Sequence, residues 1–279
     1  MKLVTVRVDG VHRAGRVDDG VVTLLDFDDV GALLAAGGLD AAARAVSGPT
    51  VAYADCDLAP VVPNPDKIVC VGLNYADHVA ETGRDTPSHP TYFAKYRRAL
   101  IGPNDPIVLP DPAISAEVDW EGELAIVIGR SVRLAGDREA AAAIAGFTVV
   151  NDVSMRDWQM RTSQFLAGKT FEGSTPVGPC LVTTDEIGDG LGLDITTELS
   201  GVVKQSSNTR ELVFSPIDIV VDLSKVMTLD PGDIIATGTP SGVGRARTPP
   251  EFMAAGDTLI TTVAGIGELR NEILAPRSA

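Results

Sequence analysis

Three carboxylates and one imidazole suggest this chain's chemistry before any element is assigned. In VDWEGELAIVIG, Glu121 and Glu123 stand at the mouth of a short apolar run, Leu124 to Ile128. Such a run reads as a buried strand, and residues two apart on a strand point to one face. Like charges beside an apolar core repel, and desolvation makes that worse. Alone, the two glutamates would also suit a solvated strand face. Asp152, however, closes a second apolar strand, FTVVND, and can converge on them. Three carboxylates with no nearby His or Cys make a hard oxygen site. That donor set favours Mg2+ or Mn2+, with Ca2+ also compatible, over Zn2+ or Cu2+.

NYADHVAE supplies a second candidate. His78 and Glu81 are three apart and share a face if the segment is helical. A carboxylate beside an imidazole fixes its tautomer and raises its basicity, as a general base requires. A surface His–Glu pair is the plainer alternative. The other two histidines fall in an expected turn (His12) and in the SHP loop (His89). Lys169, in AGKTFEG, does not belong to a phosphate loop, because Ser163 stands where that motif needs glycine. It could instead bind a substrate carboxylate or oxyanion. TGTPSGVG, Thr237 to Gly244, reads as a turn whose N–H groups can receive an anion. The basic cluster Lys95-Tyr96-Arg97-Arg98 is conspicuous in an acidic chain. A guanidinium matches a carboxylate fork, so Arg97 or Arg98 at the site would select a substrate with a second carboxylate. Neighbours on an extended segment point to opposite sides, so at most one would reach it. A solvated surface pair is the alternative. No Gly-x-Ser-x-Gly elbow supports a serine hydrolase.

The elements that must position these residues are strand-rich. Residues 1 to 60 read as a small unit: strand VTVRVDG, turn HRAGRVDDG, strand VVTLLDF, then a helix within Val30 to Val46. Leu58 to Asp66, with three prolines, reads as a linker, and KIVCVGLNY as a buried strand. Asp137 to Ala145 is expected to be helical, as is SMRDWQMRTSQF, with Ser154 as a candidate cap. From Thr175 on, β-branched residues and turn signals dominate. The 279 residues can bury a sizeable core. Lys+Arg 23 against Asp+Glu 38 gives a net charge of −15, the wrong sign for a nucleic-acid partner. No apolar run reaches membrane-spanning length, and the N-terminus lacks a signal-peptide core. Three cysteines without C-x-x-C spacing suit a reducing cytoplasm and give neither a disulfide framework nor a zinc site.

Taken together, VGLNYADHVAE, VDWEGELAIVIG, VVNDVSMRDWQ, GKTFEGSTPVGP and PGDIIATGTPSGVG resemble, in order, the motifs of the fumarylacetoacetate hydrolase family. The resemblance runs from Lys67 to about Ile273. It implies a mixed α/β, β-rich fold: a family-type β-roll over residues 67–279, a small N-terminal β domain over 1–60, and assembly as a homodimer. It places metal ligands on Glu121, Glu123 and Asp152. The water-activating dyad falls on His78 and Glu81, and substrate contacts fall on Arg156, Gln159, Lys169 and Thr239. The implied reaction is divalent-metal-dependent C–C hydrolysis of a 2,4-dioxo acid, an acylpyruvate or fumarylpyruvate, through a metal-held enolate. The dyad favours hydrolysis. The alternatives are oxaloacetate decarboxylation, or isomerisation or decarboxylation of a 2-hydroxy-dienedioate. A non-catalytic metal-stabilised binding protein is a different class, and it would need no dyad. Two departures stand out: Glu172 replaces a usual aspartate after the Gly-Lys segment, and Tyr96-Arg97-Arg98 follow Phe93-Ala94-Lys95.

Overall fold

The strand Gly122–Ile128 is buried along its whole length, between Ile144–Asn151 and Ile234–Ala236, both antiparallel to it. Burial on both faces explains an apolar run without polar alternation. Leu124, Ile126 and Ile128 enter one core, with Phe147, Val149, Ile219 and Leu223. Ala125 and Val127 enter another, with Leu33, Leu34, Val61 and Val62. Each fully buried Leu, Ile or Val contributes roughly 1.5–3 kcal/mol relative to exposure.

The computed structural model describes residues 1–44 and 48–276. Among them, an eleven-stranded sheet runs from Thr50–Ala52 through Val21–Leu24, Val11–Asp18, Lys2–Val8, Thr175–Thr183 and Ile144–Asn151 to the central strand. It continues through Ile234–Ala236 and Ile68–Gly72 to Thr91–Lys95, and the eleventh strand, Leu100–Ile101, pairs parallel with Thr175–Thr183 off this path. A five-stranded sheet, in the order Val202–Asn208, Asp194–Leu199, Thr258–Val263, Gly267–Leu274, Ile107–Val108, packs beside it. The helix Pro216–Val226, opened by a Ser215–Asp218 capping box, covers the first core. Among the described residues no helix is long and apolar enough to cross a membrane.

Several local expectations are corrected. HRAGRVDDG is no turn: Val11–Asp18 is a strand, and the turns are Asp9-Gly10 and Asp19-Gly20. Both residues of each pair have positive φ, the type I′ geometry that suits hairpins. The helix expected within Val30 to Val46 is two short ones, Val30–Ala35 and Leu39–Arg44, and Val46 lies outside the described residues. SMRDWQMRTSQF contains only the short helix Arg156–Gln159. Ser154 does not cap it, because Ser154 pairs with Asp119 in a two-residue ladder and its hydroxyl donates to the Asp152 carbonyl. The proline-rich stretch from Leu58 is packed: Val61 and Val62 are buried, and Thr5 Oγ1 donates to the Val61 carbonyl at 2.8 Å. Lys2–Val8 pairs directly with Thr175–Thr183, so the first strands extend the main sheet.

Gly146 marks the tightest approach within that sheet. A Cβ there would stand 2.0 Å from the Val182 carbonyl oxygen, backbone that cannot swing aside. Gly146→Ala should therefore lower stability by about 1–3 kcal/mol. The expected signature is a lower urea midpoint at unchanged m-value, and an unaltered midpoint would disprove the packing account.

Candidate active site

Three strand ends build the site. Gly122 pairs with Asn151, and the Asp152 N–H donates to the Glu121 carbonyl at 2.8 Å. This brings the glutamate-bearing and aspartate-bearing backbones together. The chain leaving Ile234–Ala236 passes opposite Glu123, where the Gly238 N–H donates to Glu123 Oε2 at 2.7 Å. As a result, one oxygen from each of Glu121, Glu123 and Asp152 lies within 4.8 Å of the others, all three residues buried.

Buried cations answer most of this charge. Lys169 Nζ bonds Glu121 Oε2 at 2.5 Å and Asp152 Oδ2 at 2.8 Å. Lys95 Nζ reaches Asp152 Oδ1 at 2.6 Å. Arg156 joins Asp119 Oδ2 at 2.7 Å and Glu121 Oε1 at 2.6 Å, and donates to Gln159 Oε1 at 2.8 Å. Four buried carboxylates thus meet three buried cations, and Glu123 has no ion pair among the described residues. Burial, Asp152 and Glu121 push the Glu123 carboxyl well above its ordinary range. Burial works the same way on Glu121, but Lys169 and Arg156 overcome it and hold that group down at about 2. The surplus charge and the all-oxygen donor set fit a hard divalent cation.

Gly168 makes Lys169's placement possible. A Cβ on Gly168 would fall 2.4 Å from the Gln159 backbone nitrogen, so only glycine lets Leu166–Lys169 close on Arg156–Gln159. Glu172 takes no part: it is exposed and faces Arg98 at 4.0 Å.

His78 and Glu81 do share a face of the helix Ala76–Thr82, with His78 Nδ1 and Glu81 Oε2 2.9 Å apart. Burial opposes ionisation of Glu81, but His78 and the Gly242 N–H outweigh it and lower the carboxyl's pKa. An ionised carboxylate only accepts, so Nδ1 carries the proton and Nε2 is left as the base. Glu81 Oε1 accepts from the Gly242 N–H at 2.8 Å, and Ser241 Oγ donates to Asp77 Oδ2 at 3.1 Å. These bonds dock the helix on the TGTPSGVG loop. The loop's amides do receive anions, but the anions are the protein's own: Gly238 serves Glu123, Gly242 serves Glu81, and Gly244 serves Asp119. Thr239 is buried in the same loop, and its hydroxyl donates to the Gly122 carbonyl at 3.0 Å.

The structure therefore gathers Glu121, Glu123, Asp152, Lys169, Arg156 and Gln159, and brings Thr239 against the peptide between the two glutamates. Arg97 and Arg98 are not brought in. Arg97 donates to Asn64 Oδ1 at 3.2 Å, and both line a surface cavity of about 650 Å³ with Asp66 and Glu172. The selection of a second carboxylate by one of them finds no contact with the carboxylate cluster among the described residues. Sequence reasoning missed Asp119, and it noted Lys95 only as part of a basic cluster and not as a partner of Asp152. Asp119 has the same alternation as Glu121 and Glu123, and Lys95 is the lone charge closing the strand TYFAK.

Residues 67–274 match the family model described as fumarylacetoacetate (FAA) hydrolase C-terminal. A mitochondrial oxaloacetate tautomerase of Rattus norvegicus is 46% identical over 218 residues, 78% of this chain and 69% of that protein. Among solved structures, the 2-hydroxyhepta-2,4-diene-1,7-dioate isomerase of Mycobacterium marinum matches with TM-score 0.81 and 32% identity, over 100% of each chain. The maleylpyruvate hydrolase of Sphingobium sp. SYK-6, solved with manganese(II) and pyruvate, matches with TM-score 0.80 and 28% identity, over 99% of this chain and 100% of that one. The two solved structures share this chain's fold along its whole length. The chain belongs to the fumarylacetoacetate hydrolase family of enzymes.

Replacing Lys169 by Met would leave Glu121 and Asp152 short of a cation. Breaking such a buried pair costs about 3–5 kcal/mol. Glu121's pKa is lowered from 4.5 to about 2, so its pairing stabilises fully above pH 4.5 and is lost as pH falls towards 2. The stability gap between wild type and Lys169→Met, read by denaturant unfolding without added metal, should be large near about pH 7 and shrink near about pH 3. A gap that does not change with pH would contradict the ion-pair assignment.

Proposed function

We propose that this enzyme interconverts the enol and keto forms of a small 2-oxo dicarboxylic acid of the oxaloacetate type, with Mg2+ or Mn2+ held by Glu121, Glu123 and Asp152. The observation that carries the metal site is Glu123, buried with two carboxylate neighbours and no cation of its own. The reaction type is supported by the likeness to oxaloacetate tautomerases and to a dienedioate isomerase. These relatives favour the enol-chemistry alternatives over the C–C hydrolysis expected first from the sequence.

When bound, the cation supplies Lewis acidity that favours the enolate of a 2-oxo acid. His78 Nε2 takes the proton from the carbon between the keto and distal carboxyl groups, and the imidazolium passes it to the enolate oxygen to complete the enol, the two transfers running in the opposite order towards the keto form. Glu81 holds the imidazole tautomer and steadies the imidazolium that forms. Lys169 holds negative charge developing on the substrate oxygen. Gln159, with Arg156 behind it, and the loop at Thr239 contact the substrate's carboxylates. Tautomerisation needs no attacking water, so this set of groups is sufficient for it.

C–C hydrolysis of a 2,4-dioxo acid is the second reading, favoured by the likeness to maleylpyruvate hydrolase. In it the same His78–Glu81 pair would activate water. The homodimeric state belongs to the same proposal and is read by light scattering.

The deciding experiment presents oxaloacetate, fumarylpyruvate and a 2-hydroxy-dienedioate to the Mn2+-loaded enzyme. Enol loss is followed by absorbance, and pyruvate and CO2 are measured as products. Enol–keto exchange of oxaloacetate without pyruvate formation is the expected result. Pyruvate from fumarylpyruvate, with no acceleration of enol exchange, would replace this reading by hydrolysis. Glu123→Ala should abolish Mn2+ uptake by calorimetry, and retained uptake would rule out the proposed ligand set. His78→Ala should keep Mn2+ binding while slowing turnover by about 10²-fold or more. Wild-type turnover in that variant would remove His78 as the base.

A further inference from the structure

The peptide between the two glutamates is held by a side chain from the other sheet. Gln205 lies on Val202–Asn208, an edge strand whose neighbours Val202 and Val203 are more than half exposed, yet Gln205 itself is 1% exposed. Its amide makes three bonds. Oε1 accepts from the Gly122 N–H at 3.0 Å, and Nε2 donates to Thr239 Oγ1 at 2.7 Å and to the Pro240 carbonyl at 2.9 Å. Thr239 Oγ1 then donates to the Gly122 carbonyl at 3.0 Å. The amide cannot be turned around, because the Gly122 N–H only donates and the Pro240 carbonyl only accepts. Gly122 is thus gripped at both its N–H and its C=O by one closed ring of hydrogen bonds. Gly122 must also be glycine: a Cβ would meet Thr197 Oγ1 at 2.3 Å and Thr261 Cγ2 at 2.9 Å, both from the five-stranded sheet.

We infer that Gln205 is a positioning residue: by fixing the Gly122 peptide and the Thr239 hydroxyl together, it sets how Glu121 and Glu123 are presented to a divalent cation. The inference rests on the proposed metal site and adds a remote residue that no motif in the sequence marks. Supports behind metal ligands typically matter by 10–100-fold in affinity. Loss of the amide also leaves the buried Gly122 N–H without its partner, at a cost of about 1–3 kcal/mol, so affinity is read beside the unfolding midpoint.

The test measures Mn2+ affinity by calorimetry, the unfolding midpoint, and kcat and KM, for wild type, Gln205→Met, Thr239→Val, the double variant and Gln205→Glu. Gln205→Met should weaken Mn2+ binding by about 10-fold or more. The double variant should lose no more than the worse single variant, because both substitutions open one ring. Gln205→Glu keeps an acceptor for Gly122 and, protonated by burial, one donor, so it should recover most of the affinity. A folded Gln205→Met with wild-type Mn2+ affinity, or losses that add in the double variant, would overturn the role. If Gln205→Met fails to fold, Thr239→Val decides: weakened Mn2+ binding upholds the ring and wild-type affinity refutes it. A wild-type chain that takes up no Mn2+ would overturn the metal site and this inference together, whereas equal affinities across metal-binding variants overturn this inference alone.

Discussion

A buried excess of negative charge governs the site. Asp119, Glu121, Glu123 and Asp152 lie out of contact with bulk water, where unpaired charge is costly. Lys95, Arg156 and Lys169 are drawn in from three separate elements to meet them. Two of these cations have a structural condition of their own. Lys169 depends on Gly168, which allows two short helices to touch, and Arg156 depends on the two-residue ladder that ends just before it. The placement of Glu123 outside every ion pair follows from the strand ends. It is opposite a backbone amide, Gly238, rather than a side chain.

The two sheets divide the work. The long sheet brings the carboxylates together by pairing Gly122 with Asn151. The five-stranded sheet supplies side chains that hold the backbone between them: Gln205 on Gly122, and Thr261 on Asn151, whose own oxygen accepts from the Glu121 N–H. Neither sheet alone would present three carboxylates in a fixed arrangement, since an unsupported strand end frays.

Much of the site was legible because chemistry leaves local marks. Glu121 and Glu123 stood out by alternation beside an apolar run, and His78 and Glu81 by helical spacing. Asp119 carried the same alternation and was overlooked because its strand is only two residues long. Gln205 left no mark, since VVKQSSN reads as an ordinary edge strand, and the partners that hold it lie 34, 35 and 83 positions away. The fold class was readable from β-branched runs and turn residues. The helix Pro216–Val226 passed unnoticed although SPID carries a capping box, because strand signals dominated that half of the chain. The second hairpin strand was mistaken for a turn because Gly15 interrupts it. The main chain there is extended, and glycine is needed where a Cβ would stand 2.4 Å from Val22 Cγ1.

The two oxygens of Glu81 have separate duties, one on His78 and one on the Gly242 amide. The His78 imidazole is therefore aligned by the same carboxylate that fastens its helix to the loop. Because both residues sit on that helix, their pair would travel with it, and a movement of the helix would break only its fastening to the loop: the imidazole's orientation is preassembled, and the loop decides only where it stands.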